Sequence, residues 1–412
     1  MIKIMTLLKI AWRNIWRSKL RSAVVILAIA SGLIGGLFSS AWMNGMAIQR
    51  VKNTFELETA HIQIHNPEFI DNSDVKKTII STNEKLEELS KMEGVKAVTS
   101  RLKTSAMAAT ANKNMGVTIV GVNPKTEKEV FGLYKKIDSV SGDFLVTKKK
   151  NSIIISKALA KELKVRLKSK IVLTFQDYNG EITGAAFKVT GMFKTDNSTW
   201  DKMHVFVNDK DLRRVLELPK NQSHEIDILL YDYSQASILS EQLKIKYPNI
   251  LIENWSEIQP YISFLTDYMD IMMGVFMLII LGALGFGIVN TMLMVILERT
   301  KELGMLMAIG MNRKRVFMMI MFETIFLALI GALVGEVLSM FLIKYFGKTG
   351  IDLSSMAEGL ESVGYSAITY PSLEPVRYVQ ITIMVLITGI LASVYPAVKA
   401  LKLNPAEALR TV

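Results

Sequence analysis

The chain has 412 residues, of which 50% are hydrophobic and 21% charged, and its formal net charge is +11. It contains no cysteine, which excludes disulfides, thiolate chemistry and cysteine-based metal sites. A positive net charge is typical of a nucleic-acid-binding protein or of a membrane protein with basic cytoplasmic edges. The long apolar runs favour the membrane protein, so we expect no nucleic acid as a partner.

The N-terminal segment, residues 1–22, has the period of an amphipathic helix. Its apolar side carries Ile4, Leu7, Leu8, Ala11, Trp12 and Ile15. Its opposite side is basic. We therefore predict a helix in the membrane interface, with its apolar side toward the acyl chains and its basic side toward anionic headgroups. The side chains expected at this interface are Lys9, Trp12, Arg13, Trp16 and Arg17.

Four windows are long and apolar enough to cross a membrane, which needs about 20 residues. They are residues 23–48, 271–297, 316–343 and 379–398. The first window follows a basic segment, as a signal peptide would. Its apolar run is too long for the usual signal core of about 7–15 residues, so it predicts a retained membrane helix.

Basic residues in short loops predict the orientation, because such loops stay in the cytoplasm. They dominate residues 1–22, 298–315 and the tail 399–412, whereas the loop 344–378 has more acids than bases. Both termini and the 298–315 loop are therefore predicted to be cytoplasmic. A large segment, 49–270, and the loop 344–378 are predicted to lie outside.

The outside segment 49–270 alternates β-like runs with short amphipathic helices, which predicts a mixed α/β domain between the first and second membrane helices. The predicted strands are His61–His65, Val95–Ala111, Val117–Val122, Ile153–Ser156, Lys170–Gln176, Ala185–Phe193, Met203–Val207 and Glu225–Tyr231. The predicted helices are Asn83–Lys91, Lys157–Val165, Asp209–Leu216 and Ser234–Lys246. Helical spacing from Trp255 onward also predicts a continuous rod, Trp255–Ile296, that runs into the second membrane helix.

Two patterns that suggest a metal or nucleotide site fail on spacing. His61 and His65 are four residues apart, but the segment alternates like a strand, on which such residues lie roughly 13 Å apart. A polar strand face is predicted instead of a metal site. Gly347-Lys348-Thr349 ends like a phosphate-binding loop, but Leu342 stands where that loop needs a glycine. We therefore expect any ATPase on a separate chain.

The third window contains two acids, Glu323 and Glu336, and an acid inside a membrane must face protein or water. Contact with a neighbouring helix, or reach to the nearer interface, is favoured over a proton relay. The same window has Gly331 and Gly335, a spacing that allows close approach of two helices.

The segment 298–309 reads as a short charged helix that ends at Gly310, with an apolar stripe formed by Leu303, Leu306 and Met307. Such a helix between two membrane helices suits docking into a groove of a partner. The alternative is a solvated loop whose basic residues serve only as a topology signal.

Three segments together resemble FtsX-like permeases of ABC transporters. Leu8–Ser22 resembles their opening helix, Asn290–Gly310 their loop after the second membrane helix, and Tyr395–Arg410 their closing motif. Glu323 matches an acidic position common in their third helix.

The resemblance implies a dimer with a second permease chain, which binds two copies of a cytoplasmic ATPase. The ATP and Mg²⁺ then belong to the ATPase, and this chain carries no catalytic residue, metal or cofactor of its own. The loop at about Glu298–Gly310 becomes the coupling helix. Its expected ATPase-coupling residues are Glu298, Arg299, Glu302, Leu303, Leu306 and Gly310.

Within the family, the layout is similar to the lipoprotein-releasing LolC/LolE permeases of the bacterial inner membrane. Ile153–Leu163 and the run that starts at Trp255 resemble segments of their periplasmic domains. The expected function is release of lipoproteins to a periplasmic carrier, with acyl chains entering between the first and second helices of two protomers. The alternatives are a MacB-type exporter of small amphiphiles or peptides, and an FtsX-type signalling protein that activates an enzyme outside.

Overall fold

The computed structural model describes residues 4–17, 19–69, 74–111, 113–145 and 150–401. The chain forms two compact units. We call them the helical unit, which comprises Met1–Ala47, Asp267–Asp352 and Ile368–Val412, and the sheet unit, which comprises Ile48–Thr266 and Leu353–Ala367. The end of the predicted closing motif, residues 402–412 of the predicted tail, lies outside the described residues.

The described helices are α1 (Ile4–Arg17), α2 (Lys19–Thr54), α3 (Asn83–Ser90), α4 (Pro124–Val130), α5 (Lys157–Leu163), α6 (Ser198–Met203), α7 (Asp209–Val215), α8 (Ala236–Lys246), α9 (Trp255–Ile258), α10 (Pro260–Glu298), α11 (Thr300–Ala308), α12 (Arg313–Thr349), α13 (Ala357–Ser362) and α14 (Pro375–Leu401).

The described strands are β1 (Ile62–His65), β2 (Ile79–Ile80), β3 (Val95–Ala109), β4 (Asn114–Val122), β5 (Ser152–Ser156), β6 (Lys170–Gln176), β7 (Ile182–Phe193), β8 (His204–Asn208), β9 (Gln222–Ser223), β10 (Glu225–Leu230), β11 (Leu251–Asn254), β12 (Ile351–Asp352) and β13 (Ile368–Thr369).

Four helical segments in the described residues are long and apolar enough to span a membrane: Ser22–Thr59, Pro260–Glu298, Arg313–Thr349 and Pro375–Leu401. Each contains the whole of one of the four predicted windows. The observed helices extend beyond the windows because a helix continues through polar residues as long as nothing breaks its hydrogen bonds. The fold predicted from the sequence, four membrane helices with a mixed α/β domain between the first two, is confirmed.

The glycine pair in α12 makes the close helix contact that its spacing predicts. A Cβ atom added at Gly331 would lie 2.9 Å from the Cβ atom of Ile29, and one added at Gly335 would lie 2.9 Å from the carbonyl oxygen of Ala30. Both partners belong to α2. The backbones of α2 and α12 therefore approach each other at a distance that only glycine permits at these two positions.

The N-terminal helix α1 buries in protein part of the side that was predicted to face lipid, while Trp12 on that side remains 46% exposed. Leu7, Ala11 and Ile15 are buried in protein, and α1 lies along α12. Trp12 instead contacts Phe326 edge to face, with 5.4 Å between ring centroids. The prediction was wrong on this point because hydrophobic period reports that a face is apolar, not whether lipid or protein covers it.

The sheet unit is built on a nine-stranded mixed sheet in the order β11-β1-β10-β3-β4-β8-β5-β7-β6, in which β3 also pairs with β6. Two neighbouring pairs, β4 with β8 and β5 with β7, are parallel, and the other pairs are antiparallel. The long strand β3 pairs with β10, β4 and β6, so it joins both halves of the sheet.

The predicted strands and helices of the outside domain are all present, with shifts of a few residues at their ends. Five short elements of this domain were not predicted: the helices α4 and α6, the strand β11, and the paired strands β2 and β9. They have seven residues or fewer, too few for their own periodicity to stand out.

The predicted continuous rod Trp255–Ile296 is wrong at its start. The helix α9 begins in a capping box between Asn254 and Glu257 and ends at Gln259, which has a non-helical backbone. A separate helix, α10, begins at Pro260. The residue before a proline disfavours helical geometry, whereas proline itself suits the first position of a helix, so the break falls at Gln259.

The loop predicted as one segment, 344–378, is divided between the two units. Residues Leu353–Ala367 belong to the sheet unit. Within that unit Lys194 forms an ion pair with Glu361 at 2.9 Å, and Thr199 donates a hydrogen bond to the carbonyl of Ser362. The sheet unit is therefore assembled from two separate stretches of sequence.

Candidate coupling site

The short helix α11 is fixed at both ends by local geometry. Arg299, between α10 and α11, has a backbone conformation that neither helix uses, so the chain turns there. At the other end Gly310 has a φ of 99°. The amide of Gly310 donates to the carbonyl of Met307 and that of Met311 to the carbonyl of Leu306, which is the hydrogen-bond pattern of a Schellman motif. The predicted helix end at Gly310 is confirmed.

A ladder of ion pairs connects α1, α11 and α12. Arg17 Nη2 lies 3.1 Å from Glu302 Oε1, and Glu302 Oε2 lies 3.2 Å from Arg299 Nε. Arg299 Nη1 contacts both carboxylate oxygens of Glu323, at 2.9 and 3.0 Å. We call these four side chains, Arg17, Glu302, Arg299 and Glu323, the charge ladder. It brings together residues from three predicted sites: the interfacial helix, the coupling loop and the intramembrane acid.

The charge ladder runs from solvent into the helical unit. The side chain of Arg17 is 72% exposed and that of Glu302 44%, whereas those of Arg299 and Glu323 are 16% and 10% exposed. Removing one partner of a buried ion pair leaves an uncompensated charge and costs about 3–5 kcal/mol, while an exposed pair contributes about 0–1 kcal/mol. The Arg299–Glu323 pair is therefore the part that fixes α11 to α12.

A small cavity lies beside the inner end of the ladder. It has a volume of about 20 Å³ and is lined by Arg299, Glu323 and Ser22 together with four apolar side chains. This is enough room for one water molecule, which needs polar partners of the kind that Arg299 and Glu323 supply. Glu323 contacts Arg299, as the favoured interpretation of helix contact expects, and its role against a proton relay stays a prediction.

The predicted apolar stripe of α11 packs against the core of the helical unit rather than facing outward. Leu303 is fully buried in the core of the helical unit, and Leu306 is half-buried against that core. Leu303 is therefore not available to a partner, contrary to the expectation of a docking stripe. The large apolar side chains that α11 and its end expose are Met305 and Ile309. The sequence alone did not single them out because they interrupt the stripe's period.

The remaining predicted site residues lie on exposed or half-buried surface. Glu298 ends α10 and is exposed, and Glu336 is half-buried in α12. The predicted interface residues are also exposed: Lys9, Trp12, Arg13, Trp16 and Arg17. Trp12 and Trp16 contact each other edge to face at 6.0 Å. A role for these residues at the lipid headgroups stays a prediction.

A second feature of the helical unit is an apolar cleft between α2, α10 and α14. It has a volume of about 350 Å³ and is lined by Ser40, Asp270, Met273, Gly274, Met277, Leu278, Leu281, Leu373, Arg377, Gln380, Ile381 and Met384. We call it the apolar cleft. Its rim carries an ion pair, with Arg377 Nη2 at 2.8 Å from Asp270 Oδ1. Sequence reasoning missed this pair, because its two members are far apart in the chain and both lie at the ends of apolar windows.

The two histidines weighed as a metal pair have separate partners. The ring nitrogen Nδ1 of His61 accepts a hydrogen bond from the amide of Leu230, whereas His65 Nε2 lies 3.2 Å from Gln63 Oε1. His65 is part of β1 with Gln63 on the same polar face, as the alternation predicted. Within the described residues no cluster of three or more histidine, aspartate or glutamate side chains could hold a metal ion.

Two family models match the chain. A MacB-like periplasmic core domain matches residues 22–245, which is more than half of the chain, and an FtsX-like permease C-terminal domain matches residues 274–405. The first match ends within the sheet unit and the second covers most of the helical unit that follows it. The resemblance noted in the sequence is thereby confirmed over almost the whole chain.

Similar proteins carry names from two transport systems. The chain is 22% identical over 334 residues to the lipoprotein-releasing system transmembrane protein LolE of Haemophilus influenzae, covering 76% of this chain and 77% of that protein. It is 24% identical over 394 residues to LolC of Buchnera aphidicola, covering 93% and 92%. It is 24% identical over 411 residues to the macrolide export ATP-binding/permease protein MacB of Campylobacter jejuni, covering 97% of this chain but 60% of that protein.

A similar solved structure is the periplasmic region of MacB from Actinobacillus actinomycetemcomitans. It matches 52% of this chain and 98% of its own, at 14% identity and a TM-score of 0.35. The family of the chain is assigned from the two matching domain models. Their order along the chain agrees with the order of the membrane-spanning helices and the intervening sheet. The chain belongs to the FtsX/MacB/LolC family of ABC transporter permeases, with a MacB-like periplasmic core domain and an FtsX-like permease domain.

Proposed function

We propose that this permease releases lipoproteins from the inner membrane to a periplasmic carrier, driven by a separate ATPase. The observation that carries the proposal is the apolar cleft. Its wall is made mostly of aliphatic and methionine side chains, and its rim has the ion pair of Asp270 and Arg377. An apolar wall with one charged pair at its edge suits a molecule that has acyl chains and a polar head.

The methionines suit cargo of variable shape. Met273, Met277 and Met384 line the cleft, and methionine side chains adapt to irregular apolar surfaces because they are unbranched and polarizable. A lipoprotein presents several acyl chains on one residue. We expect the chains to contact the methionines while the adjoining polar group lies near Arg377.

Energy would reach the cleft from the other end of the helices. In this proposal two copies of the ATPase, which hold ATP and Mg²⁺, bind a dimer of this chain with itself or with a second permease chain. Met305 and Ile309 on α11 would contact the ATPase, and the charge ladder would pass movement of α11 to α12. Both termini would be cytoplasmic, following the basic loops, with the large domain periplasmic.

Two other functions remain as candidates. The similarity to MacB favours export of small amphiphiles, and the same cleft could accept them. Signalling to an enzyme outside, as in FtsX-type proteins, needs no cleft for an amphiphile, so the cleft argues against it.

Site-specific photocrosslinking tests the proposal. A photoreactive amino acid replaces Met277 or Met384, inside the cleft, or Leu333, which is exposed on α12 and serves as the control. We expect radiolabelled lipoprotein to crosslink at the two cleft positions and to be lost on addition of ATP. Crosslinks to a small amphiphile alone would support export. A stable complex with a hydrolase and no cargo crosslink would support signalling.

A further inference from the structure

The outer side of the N-terminal helix α1 carries three exposed cations, Lys9, Arg13 and Arg17, which we call the cation row. They are four residues apart, so they lie along one line on the helix surface. Arg17 lies 3.1 Å from Glu302, whereas no carboxylate in the described part of the chain lies within ion-pair distance of Lys9 or Arg13. The first acid of the sequence is Glu56, so α1 itself supplies no counter-charge. Most of this positive charge is therefore unbalanced.

A second row, of large apolar side chains, runs beside the cations. Trp12 and Trp16 directly precede Arg13 and Arg17 in the chain, and successive residues of a helix are about 100° apart around its axis. The two indoles are 46% and 55% exposed, and Met5, two turns before Trp12 on the same side, is 68% exposed. Exposed tryptophans beside cations are typical of a helix that lies in the membrane interface.

The packing of α1 places these rows beside a membrane-spanning helix. The ring of Trp12 contacts the ring of Phe326 edge to face at 5.4 Å between centroids. Phe326 belongs to α12 and lies well inside its apolar stretch, residues 316–343. The side of α1 that points away from α12 is therefore within reach of lipid headgroups.

The charge of the row selects among lipids. A zwitterionic headgroup brings its own ammonium, which three cations repel, whereas an anionic phospholipid offers a phosphate whose charge is not compensated. A guanidinium holds such a phosphate through two parallel hydrogen bonds. An acidic protein surface would also match the cations, but it would leave the two tryptophans in water. An anionic lipid covers both rows at once.

Arg17 has a partner that it can exchange. Its side chain is largely exposed, and an exposed ion pair such as that with Glu302 contributes little to stability. Glu302 is also held through its other carboxylate oxygen, which lies 3.2 Å from Arg299 Nε. Glu302 therefore keeps a cation when Arg17 turns away, so exchange of Glu302 for a lipid phosphate leaves no charge unpaired.

We propose that α1 binds anionic phospholipid headgroups through the cation row, with Trp12 and Trp16 at the level of the glycerol backbone, and that a bound headgroup draws Arg17 away from Glu302. The content of anionic lipid in the membrane then sets how firmly α11 is attached to α1. The inference does not depend on the cargo, because no residue of the apolar cleft takes part in it.

Quenching by labelled lipid tests the binding. The chain has no cysteine, so Thr6→Cys, at an exposed position one turn before Lys9 on the same side, takes a single fluorophore. The full-length protein is placed in phosphatidylcholine vesicles that contain a small fraction of nitroxide-labelled phosphatidylglycerol, or of phosphatidylcholine labelled in the same way. We expect phosphatidylglycerol to quench the fluorophore several-fold more strongly. Equal quenching by the two lipids would overturn the proposal.

Two double variants locate the binding. Lys9→Gln/Arg13→Gln should abolish the preference for phosphatidylglycerol. Lys344→Gln/Lys348→Gln is the control, because it removes two exposed cations that are also four residues apart, at the other end of α12, and it should retain the preference. A preference that persists in the first variant, or that both variants lose, would refute the site. Loss of quenching on addition of the ATPase, without a preference between lipids, would assign the row to a protein surface instead.

A second label tests the exchange. Lys301→Cys, at an exposed position of α11, carries a nitroxide whose mobility is measured by electron paramagnetic resonance at constant ionic strength. We expect greater mobility in vesicles that contain phosphatidylglycerol than in pure phosphatidylcholine. Arg17→Gln should make the label equally mobile in both. Equal mobility of the label in the two membranes, with Arg17 in place and at the level seen in pure phosphatidylcholine, would refute the exchange.

Discussion

Arg299 Nη1 lies 2.9 Å from one carboxylate oxygen of Glu323 and 3.0 Å from the other, so a single guanidinium nitrogen holds the acid of α12 to the beginning of α11. Both side chains are largely buried. The contact explains why an acid is tolerated in an apolar helix: it faces protein and is neutralised there.

Replacing either member of this pair should destabilise the helical unit. In Glu323→Gln the buried arginine keeps only the half-exposed Glu302 as a counter-charge, and we expect a loss of about 3 kcal/mol in the free energy of unfolding. The double variant Arg299→Gln/Glu323→Gln should lose less than the sum of the two single variants. Denaturation in detergent measures both. The exposed Glu374→Gln is the control, and strictly additive losses would contradict the pairing.

Gly335→Leu should separate α2 from α12. A Cβ atom at this position would lie 2.9 Å from the carbonyl oxygen of Ala30, which cannot move without distorting α2. Overpacking of this kind costs about 1–3 kcal/mol. We expect a lower melting temperature of the full chain. Gly282→Leu, where the added Cβ meets nothing within 4 Å, should melt as wild type. A similar loss in both variants would show that glycine matters here for another reason.

Mild acid should loosen the sheet unit, because burial lowers the pKa of His61, His204 and His224 to about 4. In the unfolded chain the imidazoles have their ordinary pKa, near 6.5. The unfolded chain therefore binds more protons in this interval, and the free energy of unfolding falls as the pH drops from 7 toward 4. Each imidazole contributes about 1–2 kcal/mol of this loss at pH 5.

Hydrogen exchange of the full-length protein at pH 7 and pH 5, corrected for the intrinsic rate, measures the effect. Protection should fall in the strands around these histidines and remain in α12, which has none. Unchanged protection of β8 and β10 at pH 5 would contradict the prediction.

Asp201 opposes the histidines, since burial raises its pKa to about 6. Its carboxylate accepts hydrogen bonds from the amide and the hydroxyl of Thr195, at 3.0 and 2.6 Å. The folded state binds a proton here before the unfolded state does, so this group adds stability as the pH falls from 7 to 5. Asp201→Asn removes that compensation. We expect a drop in stability between pH 7 and pH 5 that is larger than that of wild type by about 1 kcal/mol. A drop in stability smaller than that of wild type would contradict the raised pKa of Asp201.

Met305→Glu and Ile309→Glu should reduce copurification of the ATPase several-fold without lowering the melting temperature, because both side chains are exposed. Leu303→Ala should lower the melting temperature without weakening ATPase binding directly. It opens a cavity in the core and costs about 2–5 kcal/mol of stability. Pull-down from detergent with subunit quantification separates the two effects. Normal ATPase recovery from both glutamate variants would place the docking surface elsewhere.

Most of the architecture could be predicted from the sequence, because its signals are local. Four apolar windows, eight strands and four helices of the outside domain follow from periodicity over a few residues. The break at Gln259 follows from Pro260, because the restriction that proline places on the preceding residue outweighs the helical spacing on both sides.

The sites were predictable only in part, since they depend on long-range contacts. Glu323, Arg299 and Glu302 were each singled out, but nothing in one sequence shows that they meet. The same holds for Asp270 with Arg377 and for the second stretch of the sheet unit, Leu353–Ala367. In each case the members are separated by many residues, and pairing is decided by the fold rather than by spacing.

The graded exposure of the charge ladder makes it a device with two different sensitivities to salt. Mobile ions reach the outer pair, Arg17 with Glu302, and at about 1 M salt the screening length falls to about 3 Å. They do not reach the inner pair of Arg299 and Glu323, which protein surrounds. Rising ionic strength should therefore weaken the contact of α11 with α1 and leave its contact with α12 intact. The helix α11 would then become more mobile on the side that faces α1.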